Sequence, residues 1–307
     1  MMFMFNQLLK LIFIVFWGIF PLNNSPRQDT NIVTDSGQIA PSQIDSLQLD
    51  SLRVDSSTAV QDTSINKDAF KNGEVLSFDI RYGFIVAGTA KMKVFTKMYN
   101  DNRFVYQLQT TAKSARGFSW IYSVNDVVNS FVDYNKFYPI RFEKKLREGS
   151  YEADLYTDYF PEDSLAKVET IRYDDGKIRN KKEYEVTVPP YVQDILSSFY
   201  YIRRQKLEVG KSIFLSNHEK KNVYNLEIKV HKKETIEVEA GKFKCIVVEP
   251  LIKGEGLFKK KGSLTIWLTD DDRKIPVQMT SEVLVGHITT ELTKIQGVKD
   301  PIAAKIK

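Results

Sequence analysis

Apolar and polar residues alternate along most of this chain, from about residue 70 to residue 292. In the segment LSFDIRY (76–82), for example, every second residue is apolar. A period of two is typical of a β-strand with one face buried and one face in water. Turn sequences such as DDG (174–176) separate about a dozen such segments. Clean alternation favours antiparallel pairing, so the predicted fold is mainly β: a single antiparallel, strongly curved sheet, as an open barrel or β-roll, with one helix.

The segment 189–210 interrupts the alternation and predicts that helix. Ile195, Leu196, Phe199 and Ile202 recur at helical spacing, as expected for a helix with one face on a core. The segment begins with two prolines and ends with a glycine. One continuous sheet wrapped on the helix is the simplest arrangement, and two β halves divided by the helix is the alternative.

The N-terminus has the pattern of an export signal. Residues 11–20 form an unbroken apolar run of ten, preceded by Lys10, which suits a signal peptide and is short for a membrane-spanning helix. We assign 1–22 to this signal, with an uncleaved anchor as the alternative. Residues 23–69 are polar and predict a disordered linker, 70–295 the β domain, and 296–307 a C-terminal tail. The expected location is the periplasm or the periplasmic face of the cell envelope.

The sequence offers no catalytic signature. His218, His231 and His287 lie in different segments without metal-ligand spacing, and only His287 is expected to face the interior. The acidic run 270–272 is followed by Arg273 and Lys274, which favours a tight hairpin turn over a calcium loop. We therefore predict no metal, no cofactor and no enzyme, and a convergent active site around His287 or Asp270 is the least favoured hypothesis.

The single cysteine, Cys245, excludes an intramolecular disulfide. It shares a predicted strand face with Phe243 and Val247, which indicates a buried structural thiol and not a nucleophile.

Two groups of residues are candidates for binding. Aromatic and aliphatic side chains could line the concave side of the sheet and hold an acyl chain, although such residues also form ordinary cores; they are Phe84, Ile85, Phe118, Trp120 and Phe199. The loop KGEGLFKKKG (253–262) could contact an anionic membrane surface or a partner protein; its contact residues would be Leu257, Phe258, Lys259, Lys260 and Lys261. The alternative is that the apolar residues fold back onto the core. Nucleic-acid binding is not expected of an exported chain without a basic aromatic stripe.

Four ordered motifs resemble a known family. They are NGEVLSFDIRYGFIVAGTAKMKV (72–94), QDILSSFYYIRR (193–204), EVEAGKFKCIVVEP (237–250) and IWLTDDDRKIPVQM (266–279) with VGHITTEL (285–292). In this order they resemble exported bacterial proteins grouped as domain of unknown function 3108. The resemblance implies a single-domain antiparallel β fold in a Gram-negative envelope, and it brings no catalytic residues. The last motif alone is also similar to periplasmic lipoprotein carriers with a half-barrel fold.

These observations together predict non-enzymatic binding of a lipid or other amphipathic envelope component. The alternative is a structural or assembly factor that binds an envelope protein through a sheet edge or the helix face. The sequence predicts no oligomeric state.

Overall fold

The alternating segments form one antiparallel sheet in the computed structural model, which describes residues 65–100, 103–117, 119–120, 122–253, 264–282, 286–298 and 301–306. The first eight strands are β1 (Val75–Tyr82), β2 (Ile85–Tyr99), β3 (Arg103–Ser114), β4 (Asn125–Asp133), β5 (Pro139–Glu148), β6 (Tyr151–Phe160), β7 (Leu165–Asp174) and β8 (Lys177–Thr187). The others are β9 (Ile213–Glu219), β10 (Asn222–Val238), β11 (Gly241–Lys253), β12 (Leu264–Thr269), β13 (Pro276–Glu282), β14 (His287–Gln296) and β15 (Lys305–Ile306). A short 3-10 helix, Pro161–Asp163, joins β6 to β7.

The strand order makes the sheet continuous. It runs from β8 back to β1, then from β14 back to β9, and β15 adds to β11. Because β1 pairs with both β2 and β14, a single ladder joins the two halves of the chain. The sheet is an open roll whose edges are β8 and β9. A side-chain contact connects the two edge regions. The ammonium of Lys221, in the turn after β9, lies 5.2 Å from the centre of the Tyr184 ring on β8. The predicted fold class is confirmed.

All neighbouring strands are antiparallel. Each odd-numbered strand from β1 to β13 therefore finishes at one end of the roll, and the even-numbered strand that follows it in the chain begins at that same end. We call this end, with the connections 83–84, 115–124, 149–150, 175–176 and 220–221, the loop end. The connection from β8 to β9, which contains the helix, starts and finishes at the opposite end.

The helix α1 spans Ile195–Arg203 and is shorter than the segment predicted from sequence. Asp194 sets its start, because this carboxylate accepts hydrogen bonds from the backbone amides of Leu196 and Ser197, each at 2.8 Å. Upstream, Tyr191 has a left-handed φ of 60° and Gln193 forms a bridge with Asn217 of β9. The residues before Asp194 therefore belong to the sheet connection.

The helix packs on the concave face of the sheet. Leu196, Tyr200 and Ile202 are buried there in a core that includes residues from both halves of the sheet. Phe70, just before β1, packs edge-on against Tyr200 with ring centres 4.9 Å apart. The hypothesis of one sheet wrapped on the helix thus describes the molecule better than two separate β halves.

Candidate functional site

The turn between β1 and β2 presents an aromatic side chain to solvent at the loop end. The turn consists of Gly83 and Phe84 alone, and Gly83 adopts a left-handed φ of 58°, a conformation that glycine reaches without steric cost. The Phe84 side chain is 91% exposed. Ile85, the first residue of β2, is partly exposed beside it. A tight turn with so little surrounding chain leaves the ring of Phe84 uncovered.

A second exposed aromatic residue lies in the connection from β3 to β4. Trp120 is 81% exposed, and its indole Nε1 donates to the carbonyl of Gly117 at 2.8 Å. The backbone of Ala115 donates to the carbonyl of Ala87 on β2 at 2.9 Å, which anchors this connection to the strand that follows the Phe84 turn. Two exposed aromatic rings thus extend from connections of neighbouring strands.

Exposed aromatic residues at the opposite end differ in their packing. Phe104 is 51% exposed and Tyr134 is 42% exposed. Their ring centres lie 6.0 Å apart, and Tyr134 also stacks on Tyr106 at 4.7 Å. These rings cover one another, whereas Phe84 and Trp120 expose nearly their whole side chains.

Two exposed basic residues precede Trp120 in the sequence. Lys113, near the end of β3, and Arg116, in the connection, are both exposed. Among the described residues of 115–120, Arg116 is the only charged one. At the loop end, two further apolar residues are exposed, Ile178 of β8 and Val223 of β10. Sequence analysis did not select them because each follows a turn in a polar segment.

The structure separates the residues predicted to line the concave side. Phe84, Ile85 and Trp120 lie at the loop end, whereas Phe199 is on α1, partly buried against the core and 6.1 Å from the ring centre of Tyr200. Phe118 lies outside the described residues, as do Leu257, Phe258, Lys259, Lys260 and Lys261. Of the strands that flank the loop 253–262, β11 finishes at the loop end and β12 begins there. Ligand binding by these residues remains a prediction.

The prediction that only His287 faces the interior is wrong. His287 is exposed because it begins β14 at the loop end, and alternation turns the next residue, Ile288, into the core. His218, at the end of β9, is buried instead. Its Nε2 donates to the carbonyl of Lys220 at 2.8 Å, which leaves Nδ1 to accept from the Tyr159 hydroxyl at 3.1 Å. Burial lowers the pKa of His218, so the ring is a neutral structural link.

The acidic run 270–272 forms the predicted hairpin turn, between β12 and β13. Asp271 Oδ1 accepts from the Thr269 hydroxyl at 2.8 Å and from the backbone amide of Arg273 at 3.1 Å. Its Oδ2 accepts from the amide of Ala304 at 3.1 Å. Within the described parts of the chain, no group of three His, Cys, Asp or Glu residues is placed to hold a metal ion.

Cys245 is buried, as predicted, and burial raises the pKa of its thiol to about 12. A thiol with this pKa carries almost no thiolate at neutral pH. The residue is therefore part of the packing of β11, in a small buried cluster with Phe243 and Val277.

Comparison with known proteins identifies a family and distant structural likenesses. The profile of the family described as protein of unknown function (DUF3108) matches residues 77–293, and no curated protein matches the chain. A β-barrel-like protein of domain of unknown function DUF1849 from Brucella abortus has 11% identity and a TM-score of 0.44, covering 73% of this chain and 97% of that one. A protein described as exported, with a YmcC-like fold, from Bacteroides fragilis has 11% identity and a TM-score of 0.33, covering 74% and 96%. A protein described as a lipoprotein, from Parabacteroides distasonis, has 11% identity and a TM-score of 0.34, with the same coverages.

No helix in the described ranges combines the length and the apolar character needed to cross a bilayer. The likenesses to solved structures are too distant to carry a function.

Proposed function

Since the chain belongs to the DUF3108 family, for which no function is assigned, we propose from its own residues that it binds an amphipathic lipid surface of the cell envelope through the loop end. The observation that carries the proposal is the nearly complete exposure of Phe84 and Trp120 on connections of neighbouring strands. The export signal predicted at 1–22 supports an envelope location. The proposal assigns no reaction to the protein.

The chemistry of these side chains suits the boundary between lipid headgroups and acyl chains. Tryptophan is enriched at membrane interfaces because its ring is apolar and its N–H is polar. Burying a phenylalanine side chain contributes roughly 1.5–3 kcal/mol. A basic residue near an anionic surface adds about 1 kcal/mol. Lys113 and Arg116 precede Trp120 by seven and four residues and lie at the same end of the roll.

Two other uses of the fold have less support. On the concave face, Leu196 and Tyr200 of α1 occupy space that a bound acyl chain would need. At the sheet edge, β8 is rich in exposed lysine and arginine, a feature that opposes strand addition by a partner. Surface binding at the loop end therefore ranks above a lipid carrier and above an assembly factor that works through the β8 edge.

The test is flotation with phospholipid vesicles. The protein should begin at Asn23, because the apolar run 11–20 would itself bind membranes. We expect the wild type to float with vesicles that contain an anionic phospholipid, and Phe84→Ser with Trp120→Ser to weaken binding at least tenfold, since tenfold corresponds to about 1.4 kcal/mol. Lys113→Gln with Arg116→Gln should weaken binding to anionic vesicles and leave binding to zwitterionic vesicles unchanged.

Phe104→Ser is the matched control, because it also removes an exposed aromatic ring but from the opposite end of the roll. It should float like the wild type. A wild type that stays with the soluble fraction, or a loop-end double variant that floats as well as Phe104→Ser, would contradict the proposal.

A further inference from the structure

Arg204 is a buried arginine to which the fold supplies no counter-charge. It directly follows the last residue of α1 and is only 5% exposed. Its Nε is buried without a hydrogen-bond partner, and within the described ranges its guanidinium forms neither a hydrogen bond nor an ion pair. The two terminal nitrogens are not among the buried atoms and so reach solvent. Burying a charge is costly unless the charge is paired, so this side chain requires an explanation.

The preceding residue, Arg203, has the partners that Arg204 lacks. Its guanidinium donates to both carboxylate oxygens of Glu74, at 2.7 and 3.0 Å, and to two backbone carbonyls. Burial lowers the pKa of both arginines, but Glu74 outweighs burial at Arg203 and raises the pKa there. At Arg204 burial dominates, and the pKa is lowered. The two neighbouring arginines thus differ by one carboxylate.

The end of the helix accounts for the position of Arg204 but not for its unused donors. A positive charge at the C-terminus of a helix interacts favourably with the helix dipole. The backbone amide of Arg204 donates to the carbonyl of Tyr201 at 3.0 Å, and its carbonyl accepts from the amide of Asn66 at 2.8 Å. These bonds involve the backbone alone, and they leave the guanidinium without an acceptor.

Aromatic rings hold the guanidinium in place. Its central carbon lies 4.3 Å from the centre of the Phe137 ring, a stacking distance. Phe137 is buried with a left-handed φ of 57°, which is unusual for a bulky residue and persists only where the surrounding structure enforces it. The hydroxyls of Tyr106 and Tyr201 are near enough to act on the charge of Arg204. Burial raises the pKa of Tyr106, so its hydroxyl is neutral and supplies no negative charge.

The acids of the neighbouring segments are engaged with other cations. Asp68, in the segment before β1, lies 3.4 Å from the ammonium of Lys71. Asp133, at the end of β4, lies 3.8 Å from Arg103 and also accepts from two backbone amides of the connection that follows it. Each of these acids therefore has a basic partner, and Arg204 is left as a charge that no acid of these segments neutralises.

We propose that Arg204 binds the oxyanion of a soluble ligand, a phosphate or a carboxylate group, at the end of the roll opposite the loop end. The terminal nitrogens of a guanidinium present parallel N–H donors that match two oxygens of either group. Stacking on Phe137 fixes the plane of these donors, and the neutral hydroxyl of Tyr106 offers a further one. No covalent bond forms or breaks. The site is separate from the lipid-binding surface, so the inference does not depend on the proposed function.

Thermal unfolding of the full-length protein with inorganic phosphate or acetate tests the site, with chloride at equal ionic strength as the reference. An anion that binds only the folded state raises the melting temperature. We expect one of the two anions to raise it more in the wild type than in Arg204→Met, which keeps an unbranched side chain over Phe137 without the charge. The anion that gives the larger difference identifies the group that the ligand carries.

The comparison between variants decides the outcome, because phosphate also stabilises proteins without specific binding. Lys206→Gln is the matched control, since it removes an exposed positive charge two residues from Arg204. It should respond to the anions like the wild type. Equal shifts in the wild type and Arg204→Met with both anions would overturn the proposal.

Titration calorimetry with the same anion measures the affinity. Arg204→Lys keeps the charge but not the planar fork, so it should bind about tenfold more weakly, whereas Lys206→Gln should bind like the wild type. If Arg204→Met does not fold, Arg204→Lys supplies the comparison. In NMR spectra of the wild type, the Nε–H signal of Arg204 should shift during the titration. A signal that stays in place at saturating anion, or equal affinity in Arg204→Lys, overturns the proposal.

Discussion

Arg203 and Glu74 form an ion pair that is closed to solvent on every side. Two guanidinium nitrogens donate to the two carboxylate oxygens, at 2.7 and 3.0 Å, and both side chains are buried. Arg203 also donates to the backbone carbonyls of Ala69 and Arg273. One side chain of α1 thus joins the segment before β1 and the turn between β12 and β13.

Glu74→Gln should destabilise the protein strongly, because it leaves the arginine charge buried without a counter-charge. Removing one partner of a buried pair typically costs about 3–5 kcal/mol, which urea unfolding can measure. Glu208→Gln is the control, since Glu208 pairs with Lys206 and Lys211 on the surface and should give no measurable change. Equal unfolding midpoints for the two variants would show that the buried pair does not hold the helix in place.

The stability of the protein should depend on the ionisation of Asp194. Burial raises the pKa of this helix-capping acid to about 6, above the model-peptide value of about 3.9. A raised pKa means that the folded state binds the proton more tightly. The stabilising contribution is therefore complete below about pH 4 and is lost as the pH rises through 6.

Asp194→Asn removes this titration and keeps an oxygen that can cap the helix. Between pH 4 and pH 7, the wild type should lose about 2 kcal/mol relative to this variant, because a shift contributes about 1.4 kcal/mol per pKa unit and the unfolded chain is already partly ionised at pH 4. The measurement is urea unfolding at both pH values. A stability difference that stays constant with pH would contradict the assignment.

Two glycines with similar backbone angles should respond differently to substitution. Gly297 has a φ of 74°, and a Cβ there would lie 1.8 Å from the carbonyl oxygen of Gly73. Gly176 has a φ of 72° with open space around it. Gly176→Ala should cost only about 1–2 kcal/mol from the left-handed conformation, whereas Gly297→Ala must also displace backbone and should lower the melting temperature much further. Similar melting temperatures would mean that the close approach of residues 73 and 297 is not needed for stability.

The sequence predicted those features that depend on local pattern. Period-two alternation gives strand faces directly, and the segment DDDRK carries the charges and turn residues of the hairpin that forms there. The first residue of α1 could not be predicted from the sequence pattern, because it depends on the Asp194 cap and on the pairing of Gln193 with β9.

Tertiary contacts account for what the sequence could not show. His218 lies in a polar segment and is buried only because the edge strand β9 folds against Tyr159 of β6. Glu74 and Arg203 are 129 residues apart, and nothing local pairs them. The sequence identified Phe84 and Trp120 as candidate binding residues. It did not show whether Phe84 points inward or outward, because that depends on a two-residue turn that leaves nothing to cover the ring.

Fluorescence of Trp120 in the presence of vesicles is the most direct measurement of the central claim. The chain has three tryptophans, so Trp267→Phe in a protein that begins at Asn23 leaves Trp120 alone. Adding vesicles of an anionic phospholipid should shift its emission to shorter wavelength, and lipids brominated on the acyl chains should quench it. The shift should be lost with Phe84→Ser and kept with Phe104→Ser. Emission that remains that of a water-exposed indole, unquenched at saturating lipid, would contradict lipid binding through the loop end.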